Sequence, residues 1–106
     1  MPVEQQLLTK AEQLVYNNLS NTAYNVELLA KEMNYSRRQL VRIIKKLTGL
    51  SPLNFIKEIR LQEARQLLEA RQFSTIAEVS FEVGFAHPSY FSKVYQERFG
   101  KKPSEI

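Results

Sequence analysis

Ten consecutive positions, Arg37 to Lys46, carry five basic side chains and no acid. With Leu40, Ile43, Ile44 and Leu47 turned to a core, steps of about 100° per residue set Arg38, Val41, Arg42 and Lys45 on the opposite face of one helix. A guanidinium can donate two hydrogen bonds to guanine O6 and N7, and a valine can meet a thymine methyl, so this face suits the major groove of double-stranded DNA. Arg38 and Arg42 are therefore the first base-reading candidates, with Val41 as an apolar reader. Arg37, Lys45 and Lys46, with Ser36 at the helix start, are assigned to the DNA backbone. Taken alone, the charges would equally suit a face that water merely solvates.

A second constellation is smaller and less charged. Ser89, Ser92, Lys93 and Gln96 occupy the equivalent face of a later helix, where they could read one or two base edges or mostly approach backbone. Ser89, Ser92 and Lys93 stand as base-reading candidates, and Gln96, Lys101 and Lys102 as backbone candidates. His87, just before that helix, either caps it and touches phosphate or is a plain N-cap residue.

Little else in the chain carries chemistry. Its 106 residues include no Cys, no Asp and a single His, and all 11 acids are Glu. Disulfides and thiolate metal sites are excluded, a lone His makes no zinc or haem site, and no paired acid and base suggests catalysis. Neither an enzyme nor a cofactor is expected. No run approaches the roughly 18 apolar residues of a membrane span, and the Met1–Glu4 opening lacks a signal peptide's basic and apolar regions. No membrane partner is expected, and the cytoplasm is the default location. The net charge of +4 is unevenly spread: residues 1–35 hold two Lys/Arg and four Glu, residues 36–106 thirteen and seven. Such asymmetry suits a polyanion partner, although many proteins share it that bind no nucleic acid.

The elements that must position these residues are helices, because apolar residues recur at three and four while Gly and Pro fall between the runs. The first spans about Val3 to Asn18, with Val3, Leu7, Ala11, Leu14 and Val15 on one face, and fades into a polar linker from Asn17 to Asn25. Val26, Leu29, Ala30 and Met33 form the stripe of a short second helix. Ser36 and Gln39 make a capping box that starts a third at Arg37, and Gly49 stops it. Ser51-Pro52 restarts the chain as N-cap and first helical position of a fourth helix, to about Ala70. Its apolar positions, Leu53, Phe55, Ile56, Ile59, Leu61, Ala64, Leu67 and Leu68, cover too wide an arc for one buried face, which suits a connector.

A further capping box, Thr75 with Glu78, opens a fifth helix with the stripe Ile76, Val79, Ser80 and Val83, repeating the second at an offset of 50. After Gly84 the offset becomes 51, aligning Leu40, Ile43, Ile44, Gly49 and Pro52 with Phe91, Val94, Tyr95, Gly100 and Pro103. A sixth helix thus runs from about Pro88 to Phe99, with His87 in the place of Ser36. One short helix, a tight turn and one longer helix, twice over, is a duplicated helix-turn-helix. Tyr35, Phe73, Phe81, Phe85, Phe91 and Phe99 flank turns or lie on apolar stripes and are expected in the core.

Four linked stretches carry a resemblance: Ser36-Arg-Arg-Gln-Leu-Val-Arg42, Leu47-Thr-Gly-Leu-Ser-Pro52, Arg60-Leu-Gln-Glu-Ala-Arg-Gln-Leu-Leu68 and Val83-Gly-Phe-Ala-His-Pro-Ser-Tyr-Phe-Ser-Lys93, followed by Phe99-Gly100 and Pro103-Ser104. Together they resemble the DNA-binding domain of the AraC/XylS family of bacterial transcription regulators, over nearly the whole chain. The resemblance implies an all-α fold of about seven helices, with Pro103 opening a short last one. It implies two helix-turn-helix subdomains, 1–50 and 71–106, joined by a linker helix, 51–70. Its recognition positions correspond to Arg38, Val41 and Arg42 and to Ser89, Ser92 and Lys93, with Pro88 beside them. The partners it implies are double-stranded DNA, an upstream sensor or ligand-binding portion, and RNA polymerase. The acidic first 20 or so residues would suit the tail of a linker from such a sensor, a fused sensor kinase being one candidate parent. Ile106 comes where the family usually continues through an aromatic and basic tail, which would leave the last helix frayed or short. The rivals are a helical protein-interaction module that docks an acidic receiver domain or polymerase subunit on its basic face and, more distantly, an enzyme.

Overall fold

A computed structural model describes residues 3–105. Met1, Pro2 and Ile106 lie outside the described residues, and with them part of the Met1–Glu4 opening and the chain's last position. Six α-helices and a single 3-10 turn follow one another among the described residues: α1 (Val3–Asn17), α2 (Val26–Glu32), α3 (Arg37–Thr48), α4 (Pro52–Ala70), α5 (Ile76–Glu82), α6 (Pro88–Phe99) and the turn Pro103–Glu105. The all-α expectation holds. By compactness the chain divides into two units, one holding the chain up to Asn18 and Tyr24–Ile59, the other Leu19–Ala23 and the chain from Arg60. The division cuts α4 between Ile59 and Arg60, because the two halves of that helix pack in different cores.

In the first unit α1, α2 and α3 touch one another pairwise. Ala11, Val15, Leu29, Leu40 and Ile44 are fully buried, the stripes expected from their spacing. Val3 is exposed, so the buried face of α1 begins a turn or more later than its apolar residues. The linker is less polar than it reads. Tyr24 is buried, and its hydroxyl donates to Glu32 Oε1 at 2.7 Å. Asn25 then caps α2, its side-chain oxygen accepting from the Leu28 N–H at 3.0 Å. In the first half of α4, Phe55, Ile56 and Ile59 are buried, whereas Leu53, expected among the apolar contacts, is 67% exposed.

The second unit is built on the other half of α4. Leu61 and Ala64 pack with Val79, Val83, Phe85, Phe91, Val94 and Tyr95. Rings succeed one another along α6: Phe85 to Phe91, Phe91 to Tyr95 and Tyr95 to Phe99, with centroids 5.2, 5.7 and 4.7 Å apart in tilted or edge-on geometries that aromatic quadrupoles favour. Of the six aromatics expected in the core, Phe85 and Phe91 are buried, and Tyr35, Phe73 and Phe99 are half-buried. Phe81 is 49% exposed. It lies one helical step beyond Ser80, off the face that Val79, Ser80 and Val83 turn inward.

The sequence repeat is also a repeat of hydrogen bonds. In the first turn Tyr35 N–H donates to Ala30 O at 2.9 Å, and in the second Phe85 N–H donates to Ser80 O at 2.9 Å. Asn34 at φ 60° and Gly84 at φ 90° are left-handed at the same point of each turn. The offset of 50 therefore persists to Tyr35 and Phe85, and the extra residue is Ala86. Each longer helix ends on a left-handed glycine, with the Gly49 N–H to Lys45 O and the Gly100 N–H to Gln96 O both at 2.8 Å.

The helix starts differ. At α3 the capping box is complete: Ser36 Oγ accepts from Gln39 N–H at 3.1 Å, and Gln39 Oε1 accepts from Ser36 N–H at 2.9 Å. At α5 only half the expected box forms. Thr75 Oγ1 accepts from Glu78 N–H, but the Glu78 carboxylate returns to the Thr75 hydroxyl instead of its backbone N–H. His87 occupies the N-cap of α6 without a side-chain capping bond, and Pro88 supplies the start by fixing φ.

A Cβ on Gly84 would lie 1.2 Å from Arg60 Nη1 and 2.3 Å from Leu19 O, whereas none would touch anything within 4 Å at Gly49 or Gly100. In denaturant unfolding, Gly84→Ala should lose at least about 3 kcal/mol, by displacing a buried charge from its partners. Gly49→Ala and Gly100→Ala should each lose about 1 to 2 kcal/mol, for the left-handed backbone alone. Ser36→Ala should cost about 1 kcal/mol by removing a cap. His87→Ala should stay within about 0.5 kcal/mol of the native chain.

Candidate nucleic-acid interface

Burial of Leu40 and Ile44 fixes which way α3 turns, with Ile43 and Leu47 half-buried at the edges. Arg38, Val41, Arg42 and Lys45 consequently all reach solvent on the opposite face. Val41 is 42% exposed in the middle of a basic surface, a place where an apolar side chain gains little unless something covers it. Arg38 and Arg42 have no hydrogen-bond or ion-pair partner among the described residues.

The remaining cations of α3 are engaged. Arg37 pairs with Glu27 of α2, Lys46 Nζ lies 3.0 Å from Glu4 Oε1 of α1, and Lys45 Nζ donates to Gly49 O at 3.0 Å. Both ion pairs are largely exposed, which keeps them weak enough to exchange for another anion. Spacing alone assigned Arg37 and Lys46 to the DNA backbone; it gave no sign of the acids that hold them, which come from α2 and α1. Ser36 is exposed, but its oxygen is already accepting in the cap.

On α6, Phe91, Val94 and Tyr95 are buried, while Ser89, Lys93 and Gln96 are exposed and Ser92 is half-buried. Ser92, Lys93, Gln96, Lys102 and Ser104 line one open cavity of about 240 Å³ in the second unit. Lys102 is thus brought to the α6 face, and its N–H is held by Glu105 Oε1 at 2.9 Å. Ser104 joins the same group; its Pro-Ser context was legible, its role was not. Lys101 lies elsewhere, lining a different cavity with Arg65, Glu69, Tyr95 and Phe99. His87 is exposed at the start of the helix, beside Pro88. The two helices differ chemically: α3 bears five cations and no acid, whereas α6 bears Lys93, Arg98 and Glu97. Among the described residues no helix is long and apolar enough to cross a membrane.

A family model described as a helix-turn-helix domain matches residues 29–106. A protein called histidine kinase P4 from Formosa agariphila is 41% identical over 103 residues, which cover 97% of this chain and 7% of that protein. Other curated relatives are also much longer, the chain spanning 22–30% of their lengths. The DNA-binding domain of AdpA, solved in complex with a target DNA, superposes with a TM-score of 0.83 at 28% identity, covering 92% of this chain and 86% of that one. A transcriptional regulator structure from Chromobacterium violaceum, described as AraC-type, reaches a TM-score of 0.85 at 33% identity over 95% of this chain and 88% of its own. On these grounds the chain belongs to the AraC family of helix-turn-helix regulator domains.

Proposed function

We propose that this chain binds double-stranded DNA sequence-specifically, as the output domain of a bacterial transcription regulator, with α3 in one major groove and α6 in the next. The single observation that carries the reading is the outer face of α3, where Arg38 and Arg42 are unpartnered around an exposed Val41. Two fork-shaped donors around one apolar contact match the edges of guanine and thymine. The complex of AdpA with its target DNA supports the same reading by likeness of fold.

In this reading residues 1–50 and 71–106 are the two DNA-contacting subdomains and 51–70 the linker helix. Arg38, Val41 and Arg42, with Ser89, Ser92 and Lys93, read bases. Ser36, Arg37, Lys45, Lys46, His87, Gln96, Lys101 and Lys102 attach to backbone. The 19 residues of α4 make about 28 Å of helix at about 1.5 Å each, near the roughly 34 Å of one duplex turn. The similarity to a histidine kinase of which the matched stretch covers 7% supports an upstream sensor in a longer protein. We place that protein's DNA-binding end in the cytoplasm, with RNA polymerase as a further partner.

Selection from a random pool of about 25-base-pair duplexes, sequenced after enrichment at two salt concentrations, tests this. Two enriched blocks about one helical turn apart are expected. A single block would reduce the second unit to a backbone anchor. No enrichment, with only weak and salt-sensitive binding, would replace the reading by a protein-docking one. On the selected site Arg42→Ala should lose about 1 to 3 kcal/mol and on random DNA little, whereas Lys46→Ala should weaken both alike. Equal losses on both sequences for Arg42→Ala would remove that residue from base reading.

A further inference from the structure

We infer that Glu27 and Glu4 act as an electrostatic brake on DNA attachment by the first unit. They hold Arg37 and Lys46, the cations at the two ends of the α3 reading helix, and a phosphate has to displace them. The inference rests on the DNA-binding reading above. Its basis is a contrast along one helix. At the ends of α3, Arg37 is paired with Glu27, and Lys46 Nζ is 3.0 Å from Glu4 Oε1. On the outer face between them, Arg38 and Arg42 have no partner among the described residues. The acids thus sit against the cations assigned to sequence-independent attachment and leave the base readers free.

Both acids stand in the first turn of their own helices, where a carboxylate is favoured by the helix dipole. That explains an acid at each position but not its contact with a cation of α3. The duplication supplies a comparison. At the repeat offsets, Glu27 and Arg37 become Ala77 and Pro88, and Lys46 becomes Glu97. No such pair can form at these positions in the second unit, so the brake belongs to the first alone. Exposed ion pairs are weak, worth at most about a fivefold change in an equilibrium. That range suits a contact exchanged at every binding event, whereas a strong pair would block the flanking cations altogether.

The test titrates the whole chain into a labelled random-sequence duplex between about 50 and 200 mM salt. Glu27→Gln and Glu4→Gln should each tighten binding by about 1.5- to 5-fold at the lower salt, with the gain shrinking as salt rises. Glu82→Gln makes the same charge change on α5, at a residue without an ion pair among the described residues, and should do less. Arg37→Ala should lose more affinity in the Glu27→Gln background than in the native chain, because only there is Arg37 free to meet phosphate at no loss. The inference is overturned if Glu27→Gln and Glu4→Gln move affinity no more than Glu82→Gln, or weaken it, as a purely helix-stabilising role would predict. A native chain that binds no duplex even at low salt overturns both this inference and the DNA-binding reading, whereas native binding without tightening overturns the brake alone.

Discussion

The second unit is organised around a charge that is only 6% exposed. Arg60 donates from Nη1 to Val83 O at 2.9 Å and Leu19 O at 3.0 Å, and from Nη2 to Asn21 O at 3.3 Å. A guanidinium withdrawn from water is tolerated only where acceptors replace the lost hydration. Three stretches distant in sequence, the 19–23 segment, α4 and the end of α5, are thereby drawn to one planar group. Gly84 makes room for it, since the space a Cβ would take is filled by Arg60 Nη1. Gly84 is also the left-handed residue that turns α5 towards α6. The bend that aims α6 and the pocket that holds the buried charge therefore share a residue, and neither can change without the other.

The first unit uses the same bend without that constraint. Asn34 stands where Gly84 does, left-handed and exposed, and an asparagine side chain tolerates this conformation. The turn closes through the same backbone bond, from Tyr35 to Ala30, as from Phe85 to Ser80. In the second unit the Ser80 hydroxyl adds a buried bond to Phe85 O at 3.2 Å. Duplication has preserved the backbone path and the apolar stripes, while polar satisfaction is solved separately in each copy.

This difference explains what could be read from the residues and what could not. Helix boundaries were legible to within a residue or so, because Gly49, Pro52, Gly100 and Pro103 punctuate strongly periodic runs. The orientation of α3 was legible too, since Leu40 and Ile44 leave one inward direction. Properties that depend on packing between elements were not. Nothing in the spacing shows that Tyr24 is buried from a polar stretch, that Phe81 remains outside, or that Thr75 and Glu78 close only half a box. Likewise spacing separated Arg38 and Arg42 from Arg37 and Lys46, but only the fold shows that the latter two are held by acids of α2 and α1 while the former have no partner among the described residues.

Base reading demands rigidity, because a bidentate contact to guanine is lost if its donors drift. The two helices proposed to read bases obtain it differently. α3 is tied at both ends, by a complete capping box at Ser36 and a left-handed stop at Gly49 that the Lys45 side chain also joins, so Arg38, Val41 and Arg42 take no part in holding it. α6 lacks a side-chain cap and is held instead along its length, by Pro88 at its start and by the aromatic succession from Phe85 to Phe99 beneath it. Fixing a helix by its ends leaves the face between them free of structural duty, and Arg38, Val41 and Arg42 fill that face in α3. Fixing it through a bulky inner face leaves the outer face equally free, and there Ser89, Ser92 and Lys93 offer shorter reach and less charge. On the proposed DNA-binding reading, sequence discrimination rests mainly on the first unit, for reasons that begin in how each helix is anchored.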